Sequence, residues 1–268
     1  MFKTLRQNFA IKLTDWLVNN DRGQDGPSAY FDRLRDDIKA GDVLLVEGRS
    51  RISPIIRAFT ASRWTHCALY IGRLAEIEDV ETRKRLRSFY RGGPNQQLVI
   101  EAEIGKGTTV TPLSHYRQHN LQLCRPKTLS PKQRQKAIDH VINKIGIAYD
   151  LKLLFMLGLA LFWQRMFPWN PWHDPLSRRS TPPERTICTQ LIWEAMNSVH
   201  LPVLPFDAGP ARSNPQWAKT GTLPLTPNIF LCSAYFRTSH YSHWSKHTEC
   251  IHSPALASPF LAQIPTKL

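Results

Sequence analysis

Five short strand-like segments between residues 41 and 126 constrain the fold of this chain more than any other feature. The first, GDVLLVEG at 41–48, opens on the turn-forming pair Gly41-Asp42, which is typical of a chain entering a strand. The other four segments lie at 65–72, 98–104, 108–113 and 121–126. Because these segments match the usual length of strands in globular domains, they predict a sheet rather than a helical bundle.

Helices are predicted between and after these strands. Ser130 followed by Pro131 has the form of a helix N-terminus and predicts a helix over 131–145. The remaining predicted helices span 52–61, 76–90 and 186–196. The chain therefore has a mixed helix and strand composition.

The segment LLFMLGLALFW at 153–163 is apolar on every side. It is shorter than the roughly 17–25 residues that cross a bilayer. Exposing it to water costs about 1.5–3 kcal/mol for each large side chain, which in total exceeds the usual stability of a domain. The segment is therefore core, a partner contact or an insertion into a membrane surface. Core is the common outcome, and Trp163, Trp169 and Trp172 keep the membrane interpretation open.

The chain is strongly basic, with 35 Lys and Arg against 21 Asp and Glu, a formal charge of +14. Such an excess favours an anionic membrane surface or nucleic acid. The basic residues are scattered, and no zinc-finger spacing, RNP-like strand or basic coiled coil is present, which disfavours nucleic acid.

Residues 1–20 have the spacing of an amphipathic helix, with Phe2, Leu5, Phe9 and Leu13 on one side. Such a helix either packs on its own domain or lies on a membrane surface. The segment does not resemble a Sec-type signal, because Lys12 interrupts the apolar stretch. We therefore expect a cytoplasmic or peripheral membrane protein, with export by a dedicated secretion system as an alternative.

The five cysteines are odd in number and form no CxxC pair, a pattern typical of free thiols in a reducing compartment. One group of residues has the types that bind metals: His240, His243, His247, Cys250 and His252. Its spacing matches no standard zinc module. We therefore expect neither a metal nor any other cofactor.

Cys188 lies in the first turn of the helix predicted at 186–196, two residues after Thr186, a possible N-cap. The positive end of a helix dipole and the unpaired amides there stabilise a thiolate, and also an oxyanion on an attacked carbonyl. On this pattern alone, a buried structural thiol is the alternative.

His66 lies in the strand predicted at 65–72, and its imidazole titrates near neutrality, as a general base for a thiol must. An orienting acceptor is available from Glu101 or Glu103, which stand on one face of the strand VIEAEI. Since adjacent strand residues point to opposite faces, the pattern predicts that His66 faces the nucleophile and that Cys67 does not. A packed strand histidine and exposed glutamates are the alternatives.

A family resemblance joins these segments. The ordered set GD, THCALYIG, VIEAE, AYD and TICTQLIWEAM resembles the permuted NlpC-type papain-like family, the YiiX-like group, in a clan that includes relatives of lecithin:retinol acyltransferase. The resemblance covers about residues 41–196, with 220–236 as a further candidate segment. Thr189-Gln190 stands where Ser-Glu is commoner, and Cys67 where a Val, Met or Gly is usual.

The resemblance implies an α+β fold, with an antiparallel sheet or half-open barrel packed against the nucleophile helix and helical elaborations added. Carried over to this chain, it makes Cys188 the nucleophile, His66 the base and Glu101 its acceptor, with Tyr149 and Thr189 binding substrate. The predicted domains are an N-terminal helix and linker, a catalytic domain containing an apolar insert, and a C-terminal tail. Their bounds are 1–40, 41–236 with the insert at 151–175, and 237–268.

The predicted reaction is thiol-mediated attack on an ester or amide carbonyl, ending in hydrolysis or acyl transfer. A membrane lipid is the favoured substrate, because the chain is basic and carries the apolar insert. A stem peptide of the bacterial cell wall is the first alternative, taken from the resemblance. A membrane-binding module without catalysis is the second.

Overall fold

The computed structural model describes residue 16 and residues 28–60, 62–156, 185–201 and 248–251. The helices are α1 (Ser28–Asp37), α2 (Ser53–Thr60), α3 (Val80–Phe89), α4 (Pro131–Asn143) and α5 (Cys188–Asn197). The strands are β1 (Val43–Val46), β2 (His66–Arg73), β3 (Gln97–Glu103), β4 (Gly107–Pro112), β5 (Leu121–Pro126), β6 (Ala148–Tyr149), β7 (Arg185–Thr186) and β8 (Thr248–Ile251). All five predicted strands are present.

Six strands form one antiparallel sheet in the order β4-β3-β2-β1-β5-β8. All four residues of β1 are buried, because helices or turns cover the sheet on both faces there. Within the described residues β4 and β8 are edges that do not pair with each other, so the sheet is not a closed barrel. The α+β fold class and the antiparallel sheet predicted from the sequence are confirmed.

The two faces of the sheet pack against different elements. One face, which we call the helix face, packs against α3, α4 and α5, and its core includes Leu45, Cys67, Leu69, Ile100 and Cys188. The opposite face packs against α1 and a 3-10 turn at Leu113–Tyr116, and its core includes Leu44, Ala68, Tyr70, Val99 and Tyr116. Neighbours along β2 therefore alternate between the faces, as strand geometry requires.

Hydrogen bonds to the Asp42 side chain fix the Gly41-Asp42 turn that opens β1. Gly41 has a φ of 89°, a conformation that side chains disfavour. The Asp42 carboxylate accepts from the amide of Lys39 at 2.8 Å and from the guanidinium of Arg125 on β5 at 2.7 Å. This turn thus fixes where β1 begins relative to β5.

The predicted helix termini are correct in one case and shifted in another. Ser130 caps α4 by accepting from the amide of Gln133 at 3.3 Å, and the Gln133 side chain accepts in return from the amide of Ser130, a complete capping box. The helix predicted at 76–90 begins later, at Val80, because the Asp79 carboxylate accepts from the amide of Thr82 at 2.7 Å and caps it.

The first turns of the predicted apolar segment are described, and residues 151–156 are helical. Leu153 is buried against Ile187, whereas Phe155 is 74% exposed. The rest of the 153–163 run and the tryptophans that follow lie outside the described residues. Among the helices that are described, none combines the length and the apolar character needed to cross a membrane.

The backbone of Thr248–Ile251 forms β8, which pairs with β5. This strand falls in the segment predicted as a tail, so pairing with the sheet continues past residue 236. The predicted amphipathic helix at 1–20 (except residue 16), the candidate segment 220–236 and four members of the histidine and cysteine group lie outside the described residues. Those four are His240, His243, His247 and His252.

Candidate active site

Helix α5, which carries the candidate nucleophile, begins at Cys188, one residue later than its predicted cap implies. Its N-cap is Ile187, which offers no side-chain hydrogen bond. The predicted cap, Thr186, instead lies in β7 and donates its hydroxyl to the carbonyl of Ile187 at 3.2 Å. The prediction of Thr186 as N-cap is therefore wrong. Since the N-cap residue itself makes no side-chain hydrogen bond to the first turn, the amides there can serve an anion beside Cys188.

His66 and Glu101 form the second part of the site. His66 is the first residue of β2 and Glu101 lies on β3. The His66 Nε2 and the Glu101 Oε2 are hydrogen-bonded, and the Glu101 side chain is only 2% exposed. Glu103, the other candidate acceptor, is bound by the Lys106 Nζ at 2.8 Å. Of the two glutamates, it is thus Glu101 that contacts the ring of His66.

Cys188 contacts both His66 and Cys67. The Cys188 sulfur is hydrogen-bonded to the His66 ring, and to the thiol and the backbone amide of Cys67. The expectation that Cys67 points away from the nucleophile is therefore wrong. Cys67 lies on the helix face together with Cys188, while the pairing of β2 with β3 begins beyond it, at Leu69 and Ile100. The start of α5 therefore meets β2 where that strand is not yet paired with β3.

These contacts favour a thiolate next to an imidazolium. The hydrogen bond from the Cys67 thiol, and the hydrogen bond and charge of His66, outweigh burial and hold the pKa of Cys188 well below its ordinary value. Burial alone would lower the pKa of His66, but hydrogen bonds to Cys188 and Glu101 raise it well above its usual range. The His66 side chain keeps 20% of its exposed area and Cys188 keeps 8%. Both pKa shifts favour the charged form of the pair, and the two side chains together keep a small exposed area.

Glu101 is held as a carboxylate by three neighbours. Its burial opposes ionisation, yet hydrogen bonds and charge from His66, with further hydrogen bonds from Thr111 and Tyr116, lower its pKa to about 2. Tyr116 and Thr111 were not predicted from the sequence as partners of Glu101. The turn LSHY gives no sequence signal of proximity to Glu101, because that proximity comes from the pairing of β3 with β4.

Of the two predicted substrate-binding residues, Thr189 lies in α5 and Tyr149 lies in the strand β6. Thr189 is the second residue of α5 and is 4% exposed. Tyr149 pairs with Thr186 in the short parallel ladder of β6 and β7, and it packs both on the helix-face core and on Leu153 and Ile187. Their roles in binding a substrate remain predictions. Among the described residues, no group of three or more His, Cys, Asp or Glu is arranged to hold a metal ion.

Replacing Cys67 with alanine is expected to raise the pKa of Cys188, because the variant removes a thiol that donates to the thiolate. One such hydrogen bond corresponds to at most about one pKa unit, so the acid-side midpoint of Cys188 alkylation by iodoacetamide should rise by up to about one pH unit. The measurement is the alkylation rate as a function of pH, followed for Cys188 by mass spectrometry. Cys124→Ala is the matched control, since Cys124 is a buried thiol on β5. An unchanged pH profile in Cys67→Ala would show that Cys67 does not stabilise the thiolate.

A family of known proteins resembles part of this chain. Residues 37–155 match the model of a family described as "permuted papain-like amidase enzyme, YaeF/YiiX, C92 family". Over these residues, which are less than half of the chain, the match supports the resemblance to the permuted papain-like family. Papain-like enzymes act through a cysteine nucleophile, so the resemblance supports a hydrolase of the thiol kind. The match includes His66 and Glu101 but ends before Cys188.

The chain also resembles one solved structure. The metalloprotein YiiX from Escherichia coli O157:H7 is similar with a TM-score of 0.40 and 17% sequence identity, over 60% of this chain and 66% of that chain. The aligned region thus spans just under two thirds of the length of YiiX. No curated protein matches the chain.

Proposed function

We propose that this protein is a thiol-dependent hydrolase or acyltransferase in which Cys188 attacks an ester or amide carbonyl. The observation that carries the proposal is that His66 hydrogen-bonds both Cys188 and Glu101. A nucleophile, a base and a group that orients the base are the three components of covalent acyl transfer. The same contacts disfavour a membrane-binding module without catalysis, which needs none of them.

The proposed reaction has two halves. The Cys188 thiolate adds to the carbonyl carbon, and the resulting oxyanion lies near the uncapped amides at the start of α5. As the tetrahedral intermediate collapses, the bond to the leaving group breaks and the His66 imidazolium protonates the departing alcohol or amine. His66 then takes a proton from water or another acceptor, which attacks the thioester and releases Cys188.

Glu101 supports both halves of this reaction. Its carboxylate accepts from His66 Nε2 and favours the charged form of the ring. Because Glu101 is buried and its pKa is about 2, it stays ionised across the pH range in which His66 exchanges its proton. It therefore orients the ring without taking part in proton transfer, as the carboxylate of a catalytic triad does.

A membrane lipid is the substrate we propose. Leu153, at the start of the apolar run, packs on Ile187, the residue before the nucleophile. Phe155, two residues further on, is exposed. An exposed apolar side chain on a segment that packs against Ile187 suits an acyl chain, and the net charge of +14 attracts anionic headgroups. This attraction should weaken as the salt concentration rises.

A peptide amide is the second candidate, because the matching family is described as one of amidases. Such a substrate, for example a cell-wall stem peptide, uses the same attack by Cys188. It differs in having no need of an apolar surface beside the nucleophile. Phe155→Gln should therefore impair lipid turnover and leave peptide turnover unchanged.

The substrate is tested with vesicles of phosphatidylglycerol, measuring free fatty acid and lysolipid. We expect release by the wild-type protein, no release by Cys188→Ala, and several-fold slower release by Phe155→Gln. Phe89→Gln is the matched control, because Phe89 is 50% exposed at the end of α3. Absence of lipid cleavage and acyl transfer, together with Cys188-dependent cleavage of muropeptides, would contradict the lipid proposal and favour the amide.

A further inference from the structure

One oxygen of the buried Glu101 accepts two hydrogen bonds. Glu101 Oε2 is bound by the Nε2 of His66 and by the hydroxyl of Tyr116. The two partners come from different elements, His66 from β2 and Tyr116 from the 3-10 turn Leu113–Tyr116 that follows β4. The Glu101 side chain is 2% exposed, so protein donors, rather than bulk water, must satisfy this charged oxygen.

The ring of Tyr116 is fixed in place. Tyr116 is 4% exposed and belongs to the core on the face opposite the helix face. His115 packs edge-on against the ring with centroids 5.2 Å apart, and His119 does so at 5.5 Å. Because packing restricts the ring, its hydroxyl is held at one position beside Glu101.

We propose that Tyr116 is a positioning residue, whose hydroxyl fixes the Glu101 carboxylate and keeps it ionised so that His66 stays charged and directed at Cys188. This inference rests on the proposed function. Tyr116 acts only through Glu101 and needs no contact with the substrate. Burial and the neighbouring Glu101 raise the pKa of Tyr116 well above 10, so its hydroxyl remains a donor at every pH at which the site operates.

The sign of the expected pH effect follows from the groups around Glu101. Its hydrogen-bond partners are His66 on β2, Thr111 on β4 and Tyr116. The charged or titratable groups further out are Glu103, Cys188 on α5 and His119. A hydrogen bond to the charged form lowers a carboxyl pKa, so removing the Tyr116 hydroxyl raises the pKa of Glu101. As pH falls, Glu101 is then neutralised earlier, His66 loses its anionic partner, and the thiolate is lost at a higher pH.

The test is the pH dependence of Cys188 alkylation by iodoacetamide in the wild-type protein and in Tyr116→Phe. We expect the acid-side midpoint to rise, by less than about one pH unit, in Tyr116→Phe. With a substrate identified by the vesicle or muropeptide assay, kcat should fall several-fold while KM is unchanged. Tyr70→Phe is the matched control, because Tyr70 is a buried tyrosine in the same core whose side chain hydrogen-bonds Gln97. Its alkylation profile should match that of the wild type.

A double variant separates positioning from general damage to the fold. If Tyr116 acts through Glu101, adding Tyr116→Phe to Glu101→Gln should move the midpoint no further. A normal midpoint in Tyr116→Phe, or a shift of the same size in Tyr70→Phe, would overturn the proposal. An ordinary thiol profile for Cys188 in the wild-type protein would instead overturn the proposed function itself.

Discussion

Replacing Cys188 with alanine is expected to abolish turnover while leaving the fold intact. Cys188 begins α5 and is hydrogen-bonded to His66, whereas Cys67 and Cys124 lie within strands β2 and β5. Removing the nucleophile from a catalytic unit costs on the order of 10³-fold or more in rate. The side chain is small, so little packing is lost. The measurement is the rate of product release, with thermal unfolding as the check on folding.

Cys124→Ala is the control for this variant, because it also removes one buried thiol from the helix-face core. It should retain wild-type turnover apart from any loss of folded protein. Turnover by Cys188→Ala at more than a few per cent of the wild-type rate would contradict the assignment of the nucleophile.

Replacing His66 with alanine is expected to cost nearly as much activity as losing the thiol. Members of a catalytic unit are strongly non-additive, and in the proposed reaction His66 both stabilises the Cys188 thiolate and protonates the leaving group. Glu101→Gln should cost less, since the amide oxygen still accepts from the ring but carries no charge. The measurement is kcat/KM for all three proteins with the same substrate.

Glu103→Gln is the matched control for Glu101→Gln. Glu103 lies two residues along the same strand, but its carboxylate pairs with Lys106 and its side chain is 25% exposed. Its substitution should be nearly silent. Equal losses in the two glutamine variants would show that Glu101 has no special role.

The secondary structure could be predicted from sequence because each element carries its own local signal. The Gly41-Asp42 turn, the Ser130-Pro131 helix start and the apolar strands correctly indicate β1, α4 and the sheet. Helix ends were predicted less well. Thr186 has the residue type of a cap, but the ladder of β6 and β7 takes it into a strand, and Ile187 occupies the cap position.

Residue types in the sequence predicted which side chains belong to the site, but not all of the contacts that the fold makes there. His66 and Glu101 lie on neighbouring strands of the sheet, and the sequence named both. The position of Cys67 depends on how α5 meets the unpaired start of β2, which alternation along one strand does not encode. Tyr116 reaches Glu101 through the fold of the chain after β4, so no local pattern could have identified it.

The pH dependence of cysteine alkylation tests the central claim most directly, because it requires no substrate. In wild-type protein labelled with iodoacetamide, we expect Cys188 to react fastest of the described cysteines and at nearly the same rate at pH 6 as at pH 8. In His66→Ala it should slow about tenfold for each pH unit below the ordinary thiol pKa of about 8.5. If Cys188 already behaves like an ordinary thiol in the wild type, or if Cys67 or Cys124 reacts faster, then Cys188 and His66 do not form the proposed pair.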